Sequence, residues 1–156
     1  LFCTAASHIL PKERQVLMTT LRPVSESDAA FWFSLDTHTT PQSFRRKVDG
    51  RLGFLICENG VPVGLLHYCP LWDHLPFLNL ICLLPPYQRK GIGKKAMELW
   101  EREMKTLGYA MTLTSTQVDE DAQFFYRRLQ YRDCGILVLN DCPLSQPAEL
   151  FLCKTL

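Results

Sequence analysis

An excess of charge of either sign is missing from this sequence: 17 Lys and Arg stand against 16 Asp and Glu, a formal net charge of +1. So close a balance gives no global electrostatic reason to expect nucleic acid or an acidic membrane surface as a partner. Long hydrophobic runs are missing too. The longest, Leu75 to Leu84, is broken by Pro76 and Asn79 and falls far short of the roughly 20 residues a bilayer span needs. Seven cysteines contain no C-x-x-C pair, which argues against a zinc site or a thioredoxin-like motif, and an odd number cannot pair completely within the chain. Cys57 and Cys82 sit inside apolar runs, where cysteine behaves as a small buried hydrophobe. The thiols are therefore expected to be structural, in a reducing, cytoplasmic compartment, with no metal bound. Internal repeats are absent. Leu1 to His8 has neither a basic n-region nor a sustained apolar h-region, so it makes a poor secretion signal.

What is present suits one domain: 156 residues, 47% of them hydrophobic, enough to build a core. Residues 1–15 read as a leader, a cloning remnant or an extra outer segment, and residues 16–156 as the single functional domain. Val16 to Arg22 predicts a strand. Ser25-x-x-Asp28 has capping-box spacing ahead of a helix through Leu35, and Thr40-Pro41 starts a second helix ending at Gly50. Asn59-Gly60 between Gly53–Cys57 and Val61–Tyr68 predicts a hairpin, because both turn residues need positive φ. Phe77 to Leu84 is the nearly all-apolar pattern of a central strand. Ile92, Ala96, Leu99, Trp100, Met104 and Leu107 recur at helical spacing, with Glu98–Arg102 and Glu101–Lys105 as i,i+4 pairs on the wet face and Gly108 at the C-terminus. Strand Tyr109–Thr116, helix Asp121–Gln130 and strands Gly135–Leu139 and Glu149–Lys154 follow. Strand–helix units joined to an antiparallel hairpin give an α/β fold with a mixed sheet and helices on its faces.

Chemistry concentrates in one segment. Gln88-Arg89-Lys90-Gly91-Ile92-Gly93-Lys94-Lys95 runs from the central strand into the first turn of the best helix, with four cations and no acid. Two glycines let the backbone turn tightly, and a helix start offers unpaired N–H groups and the positive end of the macrodipole. The combination suits a polyanion such as a pyrophosphate. It is not a P-loop, because G-x-x-x-x-G-K-[ST] is absent. Gly91-x-Gly93-x-x-Ala96 meets the relaxed dinucleotide fingerprint. However, six residues separate the strand from the first glycine, and the next strand ends in Thr114-Ser115-Thr116, without the ribose-binding acid.

Gln88-Arg89-Lys90-Gly91-Ile92-Gly93 resembles the Q/R-x-x-G-x-G/A motif of the GNAT superfamily, the acyl-CoA-dependent N-acyltransferases. Pro85-Pro86-Tyr87 is similar to that family's V-x-P-x-Y lead-in, and Asp119-x-x-Ala122-x-x-Phe125-Tyr126 to its N-x-x-A-x-x-F-Y helix. The resemblance implies a mostly antiparallel sheet of six to seven strands with helices on both faces and a splayed central parallel pair. Acetyl-CoA would be the co-substrate, with its pantetheine arm completing hydrogen bonds near Leu83 and Leu84 as an added strand does. Amides of Arg89, Lys90, Gly91, Ile92, Gly93 and Lys94, with Gln88, Asp119 and Phe125, would hold it. An amide at Leu83 or Leu84 would stabilise the oxyanion developing on the thioester carbonyl, and Tyr126 would protonate the leaving thiolate.

The family's usual base position, a Glu on the fourth strand, is Asn79 here, which can orient a water but cannot take a proton. That opens the role to His67, Asp73 or His74. Asp119 replaces an Asn and Gln130 a helix-ending Gly. Trp32, Phe33, Trp72, Asp73 and His74 lie in the two segments that would flank the acceptor, a primary amine of a small molecule or peptide. The near-neutral charge argues against a highly basic protein tail as that acceptor, and pairing of two copies stays open. The implied function is N-acetyl transfer by direct reaction in a ternary complex. The alternative, motivated by Asn79, is a non-catalytic acyl-CoA-binding or sensor module.

Overall fold

The computed structural model describes residues 18–140 and 143–156. The 1–15 segment, Val16, Leu17, Cys3 and Cys142 lie outside the described residues. Seven strands, β1 (Thr19–Pro23), β2 (Gly53–Glu58), β3 (Val61–Leu71), β4 (Leu75–Leu83), β5 (Met111–Gln117), β6 (Arg132–Leu137) and β7 (Glu149–Thr155), form one sheet in the order β1-β2-β3-β4-β5-β7-β6. Every neighbouring pair is antiparallel except β4–β5. Among the described residues four α-helices, α1 (Ala29–Leu35), α2 (Pro41–Asp49), α3 (Ile92–Thr106) and α4 (Ala122–Arg128), cover its two faces.

The alternation along β2 assigns those faces, since successive side chains point to opposite sides of a sheet. Phe54 and Ile56 join Leu66, Tyr68 and Leu78 beneath the α3 stripe of Ala96, Met97, Trp100 and Met104, Tyr126 of α4 and Leu129 just past its end. Leu55, Cys57 and Leu65 pack on the other face against Trp32 of α1 and Phe44 of α2. Trp32, Trp100, Met97 and Met104 are wholly buried, and truncating either tryptophan to Ala would cost about 3–5 kcal/mol. The hairpin turn forms as the sequence predicts, with positive φ at Asn59 (50°) and Gly60 (82°).

Three helices end alike. In α2, α3 and α4 an N–H bonds back to the carbonyl five positions earlier (Leu52 to Lys47, Tyr109 to Met104, Tyr131 to Tyr126) and its predecessor's N–H to the carbonyl three earlier. This is the Schellman pattern, whose pivot must be left-handed. The pivots are Arg51, Gly108 and Gln130, at φ 52°, 92° and 70°. Gly50 is therefore one position early to be the pivot of α2, and α4 closes in the ordinary way despite its glutamine. Two other expectations are corrected. Glu101 is buried and pairs with Lys154 of β7 rather than with Lys105, while Glu98 pairs with Lys94 and Lys95 rather than Arg102. β6 spans Arg132–Leu137 rather than Gly135–Leu139, because Tyr131, 2% exposed, anchors its start. Pairing then begins at Arg132↔Cys153, and the apolar Ile136 and Val138 face solvent at the sheet edge.

Candidate active site

Two irregularities open the sheet in its middle. His67 pairs with Leu80 while Tyr68 pairs with Leu78, so Asn79 is an extra, bulged residue on β4. On the other edge of β4 the parallel pairing to β5 is registered only at Phe77↔Leu113 and Leu78↔Thr114. Beyond Leu78 the two strands part. The Leu84 N–H donates to the Val63 carbonyl at 2.9 Å, which places Leu83 in the non-hydrogen-bonded position opposite Gly64. The Leu83 N–H and C=O thus face the gap, and its carbonyl accepts from Gln88 Nε2 at 2.9 Å. Of the two amides expected to serve a ligand, that of Leu84 is already committed to β3; Leu83 alone presents to the gap.

The gap widens into a cleft of about 580 Å³ between Ile81–Leu83 of β4, the start of α3 and one face of α4. Gly91 caps α3 with φ 82°, a conformation that strains any residue with a Cβ. The first intrahelical bond runs from Lys95 N–H to Gly91 O, leaving the amides of the first turn available. At Gly93 an added Cβ would meet Phe125 at 3.6 Å and Leu83 Cδ1 at 3.7 Å. Packing alone therefore does not demand glycine there; the missing Cβ leaves the cradle open between two cleft-lining side chains. The charged residues lining this cleft are Arg89, Lys94 and Arg128, all cationic.

Tyr126, 6% exposed, stands at the junction. It lines this cleft and also a second one of about 280 Å³ between the parted strands, lined by Asn79 of β4, Ser115 and Gln117 of β5, Glu120 and Glu149. Burial raises the Tyr126 phenol above its ordinary range, against the opposing hydrogen bond with Thr114 and in concert with the charge of Glu120. At neutral pH it is a proton donor and not a base. A larger depression of about 610 Å³ lies apart, beside Arg132, Cys153 and Lys154 at the outer strands, and includes none of the parted backbone.

The remaining expected site residues divide. Gln88, Arg89, Gly91, Gly93, Lys94 and Phe125 come together in the first cleft. The Ile92 side chain is core, Lys90 stands over the Tyr87 ring at 5.9 Å, and Asp119 sits exposed in the turn before α4, lining neither cleft. Asn79 lines the second cleft, but its Oδ1 lies 3.5 Å from Lys47 Nζ, which also donates to the Tyr68 carbonyl at 2.7 Å. Burial pulls the Lys47 pKa down, against the opposing influence of the nearby Cys69 and Asp36.

The expected acceptor residues do not gather at either cleft. Trp32 is wholly buried, with its ring 5.3 Å from those of Phe44 and His67, and is a core residue. Phe33 stacks on Phe44 at 5.4 Å at the edge of the same core. Trp72, Asp73 and His74 form the exposed tip of the β3–β4 hairpin, where φ is positive at Trp72 and Asp73 and His74 Nδ1 lies 2.6 Å from the Trp72 carbonyl. His67 is buried, its Nε2 3.1 Å from Asp36 Oδ2, and lines neither cleft.

Sequence reasoning missed Arg128, which lies three residues beyond Phe125 and so on the same helical face. It also missed Glu120 and Glu149, whose place on the wall of one cleft no local pattern signals.

The fold and site together define an α/β protein with a parted sheet, cationic and amide-rich on one side of a buried tyrosine and acidic on the other. The chain belongs to the GNAT family of acetyltransferases, acyl-CoA-dependent acyltransferases: the sequence model of the Acetyltransferase (GNAT) family matches residues 20–131. No curated protein sequence matches it. Among solved structures it is similar to Naa50 from Arabidopsis thaliana in complex with a bisubstrate analogue, CoA-Ac-MVNAL, with TM-score 0.70 and 14% identity over 88% of this chain and 99% of that one. The ribosomal-protein-S18-alanine N-acetyltransferase from Escherichia coli gives 0.69 and 18%, over 88% and 94%. A GNAT family acetyltransferase from Elizabethkingia anophelis with acetyl-CoA bound gives 0.67 and 16%, over 88% and 98%. At such identities the likeness is one of fold.

Proposed function

We propose that this protein is an N-acetyltransferase of residues 16–156, working in the cytoplasm, that transfers the acetyl group of acetyl-CoA directly to a primary amine of a small molecule or peptide. The observation that carries the reading is the cleft in which parted β4 backbone, glycine-opened helix amides and three cations converge beside Tyr126. Its residues fit the coenzyme: the bare Gly93 and the amides of the first α3 turn suit a diphosphate, Arg89, Lys94 and Arg128 its charge, and the free Leu83 N–H an extended amide-bearing arm. The coenzyme supplies the acetyl group as a thioester. The Leu83 N–H polarises an acyl oxygen brought to the gap. The buried Tyr126 hydroxyl, neutral at physiological pH, holds the proton that a departing thiol requires.

Acetyl-CoA at about 100 times its Kd should add about 2.7 kcal/mol of stability, a rise of roughly 5–10 °C in Tm for a chain of this size. Release of CoA thiol across an amine panel should reveal turnover. Tyr126→Phe should lower kcat about 10²-fold or more while leaving the acetyl-CoA-induced shift in place. A shift with no amine-stimulated turnover would assign the domain to non-catalytic acyl-CoA binding. No shift at all would remove the coenzyme reading.

A further inference from the structure

The sign of charge reverses across Tyr126. Arg89, Lys94 and Arg128 line the coenzyme-side cleft, whereas the charged residues lining the second cleft are Glu120 and Glu149. Glu149 opens β7 opposite Gln117 of β5, and its Oε1 accepts from the hydroxyl of Ser115, two residues earlier on that neighbouring strand, at 2.6 Å. Gln146 Nε2 donates to Oε2 at 3.1 Å. Both partners are neutral. Among the described residues neither Glu149 nor Glu120 forms an ion pair. Glu149 is half-buried, held in place by two hydrogen bonds, and leaves its charge uncompensated on the wall of a cavity. A partly desolvated carboxylate in that setting favours a cationic partner.

We propose that Glu149 is the residue that receives the acceptor's ammonium group, making this enzyme selective for amines that are cationic at neutral pH. The inference rests on the acetyltransferase reading and gives Glu149 the anionic role that the bulged Asn79 cannot fill. Asn79 is neutral, and its Oδ1 is approached by the Lys47 ammonium, which disfavours a second cation on that side. The acceptor is thereby directed to the β5–β7 wall, where Glu149 and Glu120 line one cleft with Tyr126, away from the Lys47 ammonium beside Asn79. An α-amino group, with a pKa of about 8, or an alkyl amine, at about 10, arrives charged and is held there, and it releases one proton to solvent before the neutral nitrogen attacks the thioester. A neutral nucleophile gains nothing from Glu149.

The test is the steady-state kinetics of Glu149→Gln, which keeps the size of the side chain and can still bond Ser115, with Glu149→Asp as the conservative control. Two acceptors are compared at neutral pH: an alkyl amine, cationic there, and an aromatic amine, uncharged there. The proposal expects Glu149→Gln to raise KM for the alkyl amine about tenfold or more, to leave KM for the aromatic amine within about twofold, and to keep the acetyl-CoA thermal shift of the wild type; Glu149→Asp should recover part of the loss. Equal changes for both acceptors, or unchanged KM for the alkyl amine, would overturn it while the acetyltransferase reading stood. An absent thermal shift in the wild type would instead overturn the underlying reading.

Discussion

His67 is a histidine that folds into a place where it must stay neutral, and its consequence for acid stability can be worked out. The ring is 7% exposed. Burial lowers its pKa first, the charge of Lys47 lowers it further, and Asp36 only partly opposes them, bringing it from 6.5 to about 4. Asp36 stays ionised throughout this range: burial works to raise its pKa, but the Thr39 hydroxyl, the His38 amide and His67 outweigh that. Between those two pH values the unfolded chain binds a proton that the folded chain refuses, so stability falls as pH drops below about 6.5. From pH 7.5 to 5 the loss is RT ln[(1 + 10^1.5)/(1 + 10^−1)], about 2 kcal/mol, of the roughly 3.4 kcal/mol reached only below pH 4. Two kcal/mol would lower Tm by about 4–8 °C. Urea unfolding of the wild type and of His67→Gln at both pH values isolates the effect, because every other titrating group is common to the two. The wild type should lose about 2 kcal/mol more than the variant. Parallel losses, or an NMR titration placing His67 at or above 6.5, would refute the reasoning.

Other expectations follow from single contacts. Gln130 occupies a left-handed pivot at φ 70°, so Gln130→Gly should stabilise the fold by about 1 kcal/mol, read by denaturant midpoint; a loss would show that the glutamine side chain contributes something the backbone does not. At Gly64 a Cβ would stand 2.3 Å from the Cys82 carbonyl and 3.1 Å from Leu83 Cα, both β4 backbone. Gly64→Ala should therefore cost about 3 kcal/mol or more and weaken acetyl-CoA binding by moving the Leu83 edge of the cleft. Arg128→Gln should raise the acetyl-CoA Kd about five- to twentyfold with little change in Tm of the free protein, since Arg128 is exposed; calorimetric titration decides it, and an unchanged Kd would remove Arg128 from the cleft's function.

Most of the elements were legible because each is written locally. The helical repeat of α3, the Asn59-Gly60 turn and the Ser25–Asp28 spacing act within a few residues. In the last, the Ser25 N–H does donate to the Asp28 carboxylate, at 2.8 Å. The glycine-rich start of α3 was legible for the same reason. Where local signals misled, a longer-range contact had won. Glu101 looked solvent-facing until Lys154, 53 positions later, gave it a buried partner. β6 looked as if it should follow its apolar run, but pairing to β7 and the anchoring of Tyr131 pulled it toward Arg132. Trp32 looked like pocket lining, but Phe44 and His67 close over it.

The sequence by itself determined the helix that meets the gap, the glycines and cations at its start, and the tyrosine on α4, because spacing along one helix or one turn fixes which groups share a face. Only the tertiary structure decided where the sheet parts, that Leu83 and not Leu84 presents its amide, and that Glu120 and Glu149 stand across Tyr126 from the cations. Those outcomes depend on strand register and on a one-residue bulge at Asn79. Register is set by partners from distant parts of the chain, and a single extra residue reverses which face each side chain and each amide will see.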